Sequence, residues 1–155
     1  MKKNRNSISK LLLFLSLFTV NAISADSFKF LDRDIIFGSS IENFLSSYPE
    51  FKLDNQNINS TTKTTIYTIP KNGCEISLSV EFDSTGLSKF ILNSNCPTGQ
   101  DQEIINGILT QFKYIPPKKN NEEDYGDVVE EYKKGNLSAS AFSGGFFILT
   151  ITQSN

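Results

Sequence analysis

A strict alternation of apolar and polar residues over Cys74–Asp83 constrains the fold of this chain more than any other feature. The even positions from Cys74 to Phe82 are apolar or cysteine, and the odd positions are serine or acidic. Because successive side chains of a β-strand point to opposite faces, this period predicts a strand with one buried and one solvated face. The turn sequence DSTG follows, and a second strand over 87–96 completes a predicted hairpin.

The hairpin also predicts a disulfide. A three-residue loop that ends with Gly86 in the left-handed conformation makes opposed residue numbers sum to 170. In this register Cys74 faces Cys96, and Glu81 faces Lys89. Opposed residues on neighbouring strands lie about 4.5–5.5 Å apart, a distance that a disulfide spans. We therefore expect the two cysteines of the chain to form one structural bond, Cys74–Cys96.

Two segments have the 3.6-residue period of amphipathic helices. The first follows a capping box that begins at Ser39, and it ends at Pro49. The second runs from about 100 to 113, starting near Thr98, and the proline pair at 116–117 prevents its continuation.

Further strands are predicted at 62–69, 128–133, 137–142 and 146–152. The expected fold class is therefore α+β, with two helices packed on an antiparallel β-sheet in the order α-βββ-α-βββ. This order resembles small secreted α+β inhibitor and envelope-domain architectures, in which tandem halves of a helix and an antiparallel sheet pack together. The resemblance is one of element order, and no contact residue is carried over from it.

The two halves have a regular spacing. Ile41 and Ile104 are 63 residues apart, and so are Ile66 and Val129. The halves are either a degenerate tandem duplication or two units drawn independently from the small repertoire of α+β arrangements.

Residues 1–25 have the three parts of a cleavable signal peptide. Basic residues form the n-region, an uncharged apolar run follows at 11–20, and Ala25 is the small residue before the predicted cut. Ten residues of helix span about 15 Å, half of what a bilayer core needs, so no membrane anchor is expected. We predict export to the periplasm of a bacterium or to the medium, with 26–155 as a single α+β domain.

Export would make the chain markedly acidic. Four of its 15 basic residues belong to the n-region, so 26–155 carries 11 basic against 17 acidic residues, a net charge of −6 rather than −2. An acidic surface repels nucleic acid and anionic membrane. We therefore expect neither nucleic-acid binding nor membrane insertion, and we expect another protein with a basic binding surface as the partner.

Most catalytic chemistries are absent from the sequence. The chain has no histidine, which excludes Ser-His-Asp and Cys-His arrangements and the common zinc sites. A carboxylate cluster remains as a candidate glycosidase pair or calcium site, but it lacks the calcium-loop spacing and lies in a Pro/Asn/Gly-rich loop and a strand. We predict a protein that is not an enzyme and that holds no cofactor or metal. The clustered carboxylates are Glu122, Glu123, Asp124, Asp127, Glu130 and Glu131.

The segment 116–127 (PPKKNNEEDYGD) is the candidate binding element. It exceeds the usual connection of about 4–6 residues, and it places Tyr125 beside Glu123, Asp124 and Asp127. An exposed tyrosine offers a large contact area, and carboxylates steer a basic partner. The alternative is a solvated connection whose tyrosine packs on the core.

These features predict a small exported binding protein, specifically an inhibitor or immunity protein that blocks a periplasmic or secreted enzyme or effector. The alternative is a non-catalytic structural or assembly factor of the envelope, and a third hypothesis is a carboxylate-based hydrolase. An unpaired apolar sheet edge would favour the assembly factor, and a deep cleft with two carboxylates would favour the hydrolase.

Overall fold

The computed structural model describes residues 26–58, 61–71, 73–96, 101–116, 128–144 and 146–154. The predicted α+β class is confirmed, because the described chain is mostly antiparallel β-sheet accompanied by two helices. The first elements are β1 Ser27–Phe30, β2 Arg33–Ile36, α1 Ile41–Ser47, β3 Lys52–Leu53, a 3-10 turn Asn55–Asn57, β4 Lys63–Lys71, β5 Cys74–Asp83 and β6 Gly86–Ser94. The remaining elements are α2 Gln102–Leu109, β7 Lys113–Ile115, β8 Val128–Lys134, β9 Leu137–Ser143 and β10 Phe147–Gln153.

The large sheet has eight strands in the order β3-β4-β5-β6-β10-β9-β8-β7, and each neighbouring pair is antiparallel. β6 and β10 pair at its centre. The first half of the sheet is β3–β6, which follows α1, and the second half is β7–β10, which follows α2. β1 and β2 form a separate two-stranded sheet. The structure contains four short strands that the predicted order α-βββ-α-βββ omitted, namely β1, β2, β3 and β7.

The β5–β6 hairpin has the predicted register along most of its length. Opposed residue numbers sum to 170 from the open end up to the pair Glu81 and Lys89. Beyond that pair, Phe82 pairs with Leu87, so the turn has two residues rather than the predicted three. The extra residue is Ser88, which forms a β-bulge and donates its hydroxyl to the Glu81 carbonyl at 3.2 Å. The bulge compensates for the shorter turn and restores the register.

The predicted disulfide is confirmed. Cys74 and Cys96 are bonded at the open end of this hairpin, with Cα atoms 5.0 Å apart. The bond closes the end of the hairpin opposite to its turn. It is compatible with an oxidising, exported location.

The first helix begins one residue later than predicted. Ser40, rather than Ser39, is the N-cap, and its Oγ accepts from the Asn43 N–H at 3.3 Å. The Ser39 hydroxyl instead donates to the Ile36 carbonyl at 2.7 Å, which ties the start of α1 to the end of β2.

The second helix is shorter than the predicted 100–113. It ends at Leu109, and the Thr110 hydroxyl donates to the Asn106 carbonyl at 2.7 Å. Phe112 fits the helical period but lies just before β7, where its side chain is buried in the core. The predicted start near Thr98 lies outside the described residues. Neither described helix is long and apolar enough to cross a membrane.

The helices and the β1–β2 sheet form a second layer over one face of the large sheet, with β2 beside α1 and β1 beside α2. Gln111 joins β1 to the end of α2. Its Oε1 accepts from the Lys29 N–H at 2.7 Å, and its Nε2 donates to the Lys29 carbonyl at 2.8 Å. One side chain thus satisfies both backbone hydrogen-bonding groups of Lys29.

Aromatic side chains fill the space between the layers at α1. The Phe44 and Tyr48 rings are stacked with centroids 5.0 Å apart. Phe51 and Phe82 meet the Phe44 ring edge-on at 5.1 and 5.5 Å. All four side chains are buried, so α1 is held to the sheet mainly by large aromatic surfaces.

The β5–β6 turn packs directly on the chain that leads into α1. The Leu87 N–H donates to the Ser39 carbonyl, and the Gly38 N–H donates to the Leu87 carbonyl, both at 2.9 Å. Gly86 has a φ of +108°, and a Cβ there would overlap the Gly38 carbonyl. This close approach requires glycine at position 86.

Arg33 fastens β2 to α1. Its guanidinium forms an ion pair with Glu50, lies 4.2 Å from the centre of the Tyr48 ring and donates to the Ser47 carbonyl at 2.6 Å. The hydrogen bond from Arg33 is the main cause that holds the pKa of the Glu50 carboxyl below its ordinary value.

Candidate functional site: the open face of the sheet

One face of the eight-stranded sheet is uncovered in the described structure. The side chains that face the helices are buried, as Ile76, Leu78 and Val80 of β5 illustrate. The alternate residues of the strands point the other way, and none of the described ones is buried. We call this surface the open face. Its residues are Lys52 of β3; Thr64, Ile66 and Thr68 of β4; Glu75, Ser77, Ser79 and Glu81 of β5; Lys89, Ile91 and Asn93 of β6; Ile148, Thr150 and Thr152 of β10; Ser138, Ser140 and Phe142 of β9; Val129, Glu131 and Lys133 of β8; and Lys113 and Ile115 of β7.

Short hydroxyl side chains cover the middle of the open face. Thr150 of β10 and Ser140 of β9 are directly paired, and Ser140 is paired with Glu131 of β8. The Ser140 hydroxyl donates to the Glu131 carboxylate at 3.0 Å. A hydroxyl both donates and accepts, so this area can form hydrogen bonds with a partner of either polarity.

An apolar cluster lies at one end of the open face. We call it the aromatic patch and define it as Val129, Phe142, Phe146 and Ile148. Ile148 pairs with Phe142, Phe142 pairs with Val129, and the Phe146 ring lies 5.4 Å from the Phe142 ring. Phe146 and Val129 are 51% and 52% exposed. Clustered, exposed aromatic side chains are typical of binding surfaces.

A concavity of about 250 Å³ adjoins the aromatic patch at Phe146. Phe147 adds to its apolar lining, while Asn93 and Glu75 contribute an amide and a carboxylate. The patch therefore offers a partner both an apolar projection to cover and a recess to fill. The carboxylate in the recess favours a cationic group on that partner.

The opposite end of the open face is basic. Lys113 of β7 and Lys133 of β8 are directly paired and exposed. Like charges opposite each other destabilise a sheet, so this pair favours an anionic group placed over it. The different charges at the two ends would orient a partner on the open face.

The predicted binding residues Tyr125, Glu123, Asp124 and Asp127 lie outside the described residues. Within the same acidic cluster the structure describes two members, Glu130 and Glu131 of β8. Glu131 points to the open face, and Glu130 points to the other face, where it accepts from the Tyr132 hydroxyl at 2.6 Å.

The two described carboxylates therefore do not form a pair. Burial, together with the hydrogen bond to Glu130, raises the pKa of Tyr132 to about 12. Among the residues that the structure describes, no three histidine, cysteine or acidic side chains are grouped closely enough to hold a metal ion.

Sequence reasoning missed the aromatic patch, although a signal was present. The segment 146–149 (FFIL) is apolar at both odd and even positions. In a strand whose odd positions Leu149 and Ile151 face the core, the even apolar positions must face the other way.

No protein-family model, no curated protein and no solved structure matches this chain.

Proposed function

We propose that this chain is a small exported binding protein that acts as an inhibitor or immunity protein against a periplasmic or secreted enzyme or effector. The observation that carries this proposal is the open face, a broad surface held by eight paired strands with the aromatic patch at one end. A surface fixed by strand pairing loses little entropy on binding, and exposed aromatic side chains supply most of the energy in many interfaces.

The proposed partner is a protein with a basic binding surface, rather than a nucleic acid or a membrane. Glu75 and Glu131 flank the aromatic patch, and the acidic segment 116–127 leads directly into β8 at Val128. Glu75 and Glu131 are therefore near the patch in the sheet, and the acidic segment 116–127 is near it along the chain. Their charge would speed association with a basic partner.

A first test addresses the aromatic patch. The exported protein is used to capture its partner from an envelope extract, and the affinity and activity of that partner are then measured with the purified proteins. We expect Phe146→Ala to weaken the complex by about 2 kcal/mol, roughly 30-fold. The matched control is Ile36→Ala, which truncates a 41% exposed side chain of β2 in the helix layer.

The activity of the partner separates inhibition from mere association. Wild-type protein should abolish that activity at a one-to-one ratio, and Phe146→Ala should restore it at the same concentration. The proposal is wrong if the partner stays active in the complex or if Phe146→Ala and Ile36→Ala bind it equally well.

A second test addresses the acidic segment. If Tyr125 is an anchor, Tyr125→Ala should accelerate dissociation, by about 2 kcal/mol in affinity. Neutralising Glu123, Asp124 and Asp127 should instead slow association, and the effect should diminish as salt rises. Destabilisation of the fold by Tyr125→Ala with unchanged affinity would make the tyrosine a core residue.

The second candidate function is an envelope structural or assembly factor that pairs through a sheet edge. Tyr114 and Ile115 are exposed on the edge strand β7, which favours this alternative. The edges are short, however, with three residues in β7 and two in β3, and short edges limit pairing. Loss of binding in both Ile115→Lys and Tyr114→Lys, which change opposite faces of β7, with retention in Phe146→Ala would establish the edge as the binding element.

The hydrolase hypothesis has less support. It requires two carboxylates on the walls of a closed cleft. Asp32 and Glu103 do line one cleft, but both side chains are exposed to solvent.

We also propose that export removes residues 1–25. Asp26, the first residue after the proposed cut, accepts hydrogen bonds from the Asn136 N–H at 3.4 Å and from the Gln153 side chain at 3.0 Å. The mature chain would thus begin with a residue that is fixed to the sheet. Mass spectrometry of protein from the periplasm or medium should find Asp26 at or near the N-terminus, and an intact N-terminus or retention in the membrane would contradict export.

The two halves support the duplication hypothesis at a modified spacing. The helices begin at 41 and 102, and the edge strands at 52 and 113, a shift of 61 residues in each case. Phe51 and Phe112 precede the edge strands at the same shift, and both are buried. The predicted shift of 63 relates the starts of β5 and β9. A comparison of the two halves in related chains should recover the shift of 61 if the duplication is real.

A further inference from the structure

A cleft lies in the helix layer, on the side of the sheet away from the open face. It lies between the β1–β2 turn and α2, and its volume of about 400 Å³ is typical of small-molecule sites. Phe30, Ile104 and Ile108 form an apolar floor, and Phe30 and Ile108 are buried in the core. We call this cavity the turn cleft.

Gly107 opens the turn cleft on the α2 side. Glycine is less favourable in a helix interior than every residue except proline. A Cβ at position 107 would meet nothing within 4 Å, so packing in the described structure does not require glycine there, in contrast to Gly86. Because Gly107 has no side chain, it leaves space in the cleft that it lines.

The β1–β2 turn forms the opposite wall of the turn cleft, and one of its residues has an unfavourable backbone conformation. Leu31 and Asp32 have φ values of +48° and +62°. A two-residue hairpin turn of this hand favours Asn-Gly, and leucine is poorly suited to positive φ. Leu31 is also 45% exposed, so core burial does not explain it either. Its apolar side chain extends the lining of the cleft.

The rim of the turn cleft carries charges of both signs. Asp32 and Glu103 supply carboxylates, and Lys71 and Lys29 supply ammonium groups. Lys29 approaches Asp34 at 3.9 Å, whereas Lys71, Asp32 and Glu103 form no ion pair with the other residues that the structure describes. An apolar floor below charges of both signs that no described residue pairs is complementary to a ligand that has an apolar body, an ammonium and a carboxylate.

We propose that the turn cleft binds a small apolar zwitterion, of the class formed by free apolar amino acids and short apolar peptides. The apolar side chain packs on the floor, the carboxylate is drawn to Lys71, and the ammonium is drawn to Asp32 and Glu103. The helix glycine, the leucine at positive φ and the rim charges each point to the same cavity. Because the cleft and the open face lie on opposite sides of the sheet, this inference does not depend on the proposed function.

Calorimetric titration of the purified protein tests the ligand class. The probes are L-phenylalanine, the dipeptide Leu-Phe and uncharged N-acetyl-Leu-Phe-amide. We expect a zwitterionic probe to bind saturably, and at least about tenfold more tightly than the uncharged analogue. Tighter binding of Leu-Phe identifies a peptide as the ligand, and tighter binding of phenylalanine identifies a free amino acid.

Two variants connect the binding to the cavity. Gly107→Leu fills the cleft from α2, and we expect it to weaken probe binding at least about tenfold without lowering the melting temperature. Asn106→Leu is the matched control, because it adds the same side chain one residue away, outside the cleft lining. Leu31→Asn should raise the melting temperature and still weaken binding, since asparagine tolerates positive φ but removes apolar lining.

The inference is overturned if neither phenylalanine nor Leu-Phe binds wild-type protein saturably at concentrations up to about 10 mM. It is also overturned if the uncharged analogue binds as well as the zwitterions. Equal binding by wild type and Gly107→Leu, with a correctly folded variant, would show that the probes bind elsewhere.

Discussion

The two halves of the sheet use their large side chains differently. In the first half the aromatic rings of Phe44, Tyr48 and Phe82 are turned inward and packed under α1. In the second half the buried positions of β9 include the small residues Ala139 and Ala141. The aromatic side chains of that half that reach the open face are Phe142 and Phe146.

The first half and the elements packed beside it, α1 and β2, also carry the disulfide and the ion pair that fasten the described chain. The disulfide lies on β5–β6, and Arg33 fastens β2 to α1 through Glu50. The difference predicts that folding free energy is concentrated in the first half, whereas the second half exposes the apolar surface that we propose for binding. Removing comparable groups from the two halves should therefore change different properties.

The largest contrast is expected between two phenylalanines. Phe44→Ala should lower the free energy of unfolding by about 4 kcal/mol, because it empties the centre of the aromatic cluster. Phe142 lies on the open face and its side chain is half-buried, so Phe142→Ala should lower the free energy of unfolding by less than about 1 kcal/mol. Urea unfolding followed by circular dichroism measures both, and equal losses would refute the proposed division between the halves.

Two glycines give the next contrast. Gly86→Ala should cost about 3 kcal/mol, since it combines strain at positive φ with overlap on the Gly38 carbonyl. Gly107→Ala should instead raise the free energy of unfolding by up to about 1 kcal/mol, because it removes glycine from a helix and meets no neighbour. Thermal melts of the two variants decide this, and a destabilised Gly107→Ala would reveal a packing role for Gly107.

Loss of the disulfide should have an intermediate effect. The bonded cysteines are separated by 22 positions, and the chain-entropy model gives about 3 kcal/mol for a loop of this length. Strand pairing already orders the hairpin, so we expect a loss of about 2 kcal/mol in the Cys74→Ser, Cys96→Ser double variant. Its affinity for the partner should stay within twofold of wild type once both proteins are folded. A large loss of affinity would show that the bond shapes the recess lined by Glu75 and Asn93.

The smallest effect concerns the Arg33–Glu50 pair and depends on pH. Both side chains are partly exposed, so Arg33→Gln should cost only about 1 kcal/mol at neutral pH. Glu50 has a lowered pKa in the folded state, so its ionic contribution is present above its ordinary pKa of 4.5 and is lost as pH falls through the folded value. The stability difference between wild type and Arg33→Gln should therefore shrink as pH falls below 4.5. A constant difference from pH 7 to pH 3 would assign the effect of Arg33 to its contacts with the Tyr48 ring and the Ser47 carbonyl.

The parts of the fold that sequence predicted are those that a regular period specifies. Alternation over β5 and the position of two cysteines were enough to define the register of the β5–β6 hairpin. The turn was wrong by one residue, because the bulge at Ser88 depends on how Leu87 and Gly86 pack against the chain before α1. That contact joins segments about 48 residues apart, and no local pattern reports it.

Short elements escaped prediction for a different reason. β1 and β2 have four residues each, too few to establish a period, and their turn residues Leu31 and Asp32 lack a hairpin signature. Phe112 lies where the helical period of α2 predicts an apolar residue, although in the structure it belongs to the segment just before β7. The sequence alone therefore favoured a longer helix. The aromatic patch was missed because no face was assigned to the strand predicted at 146–152, whose apolar residues fall at both odd and even positions.

The pairing of β6 with β10 at the centre of the sheet has a consequence for the order of folding. Phe90 pairs with Ile151, 61 residues later, whereas every other pair of neighbouring strands in the large sheet is joined by a far shorter connection, the longest being 116–127. Closing so long a loop carries a high entropic barrier, so the local hairpins should form early and the central pair late. Until that pair closes, β6 and β10 are unpaired edges rich in apolar residues, and such edges promote intermolecular association. Dilution during refolding should therefore improve the yield of this protein.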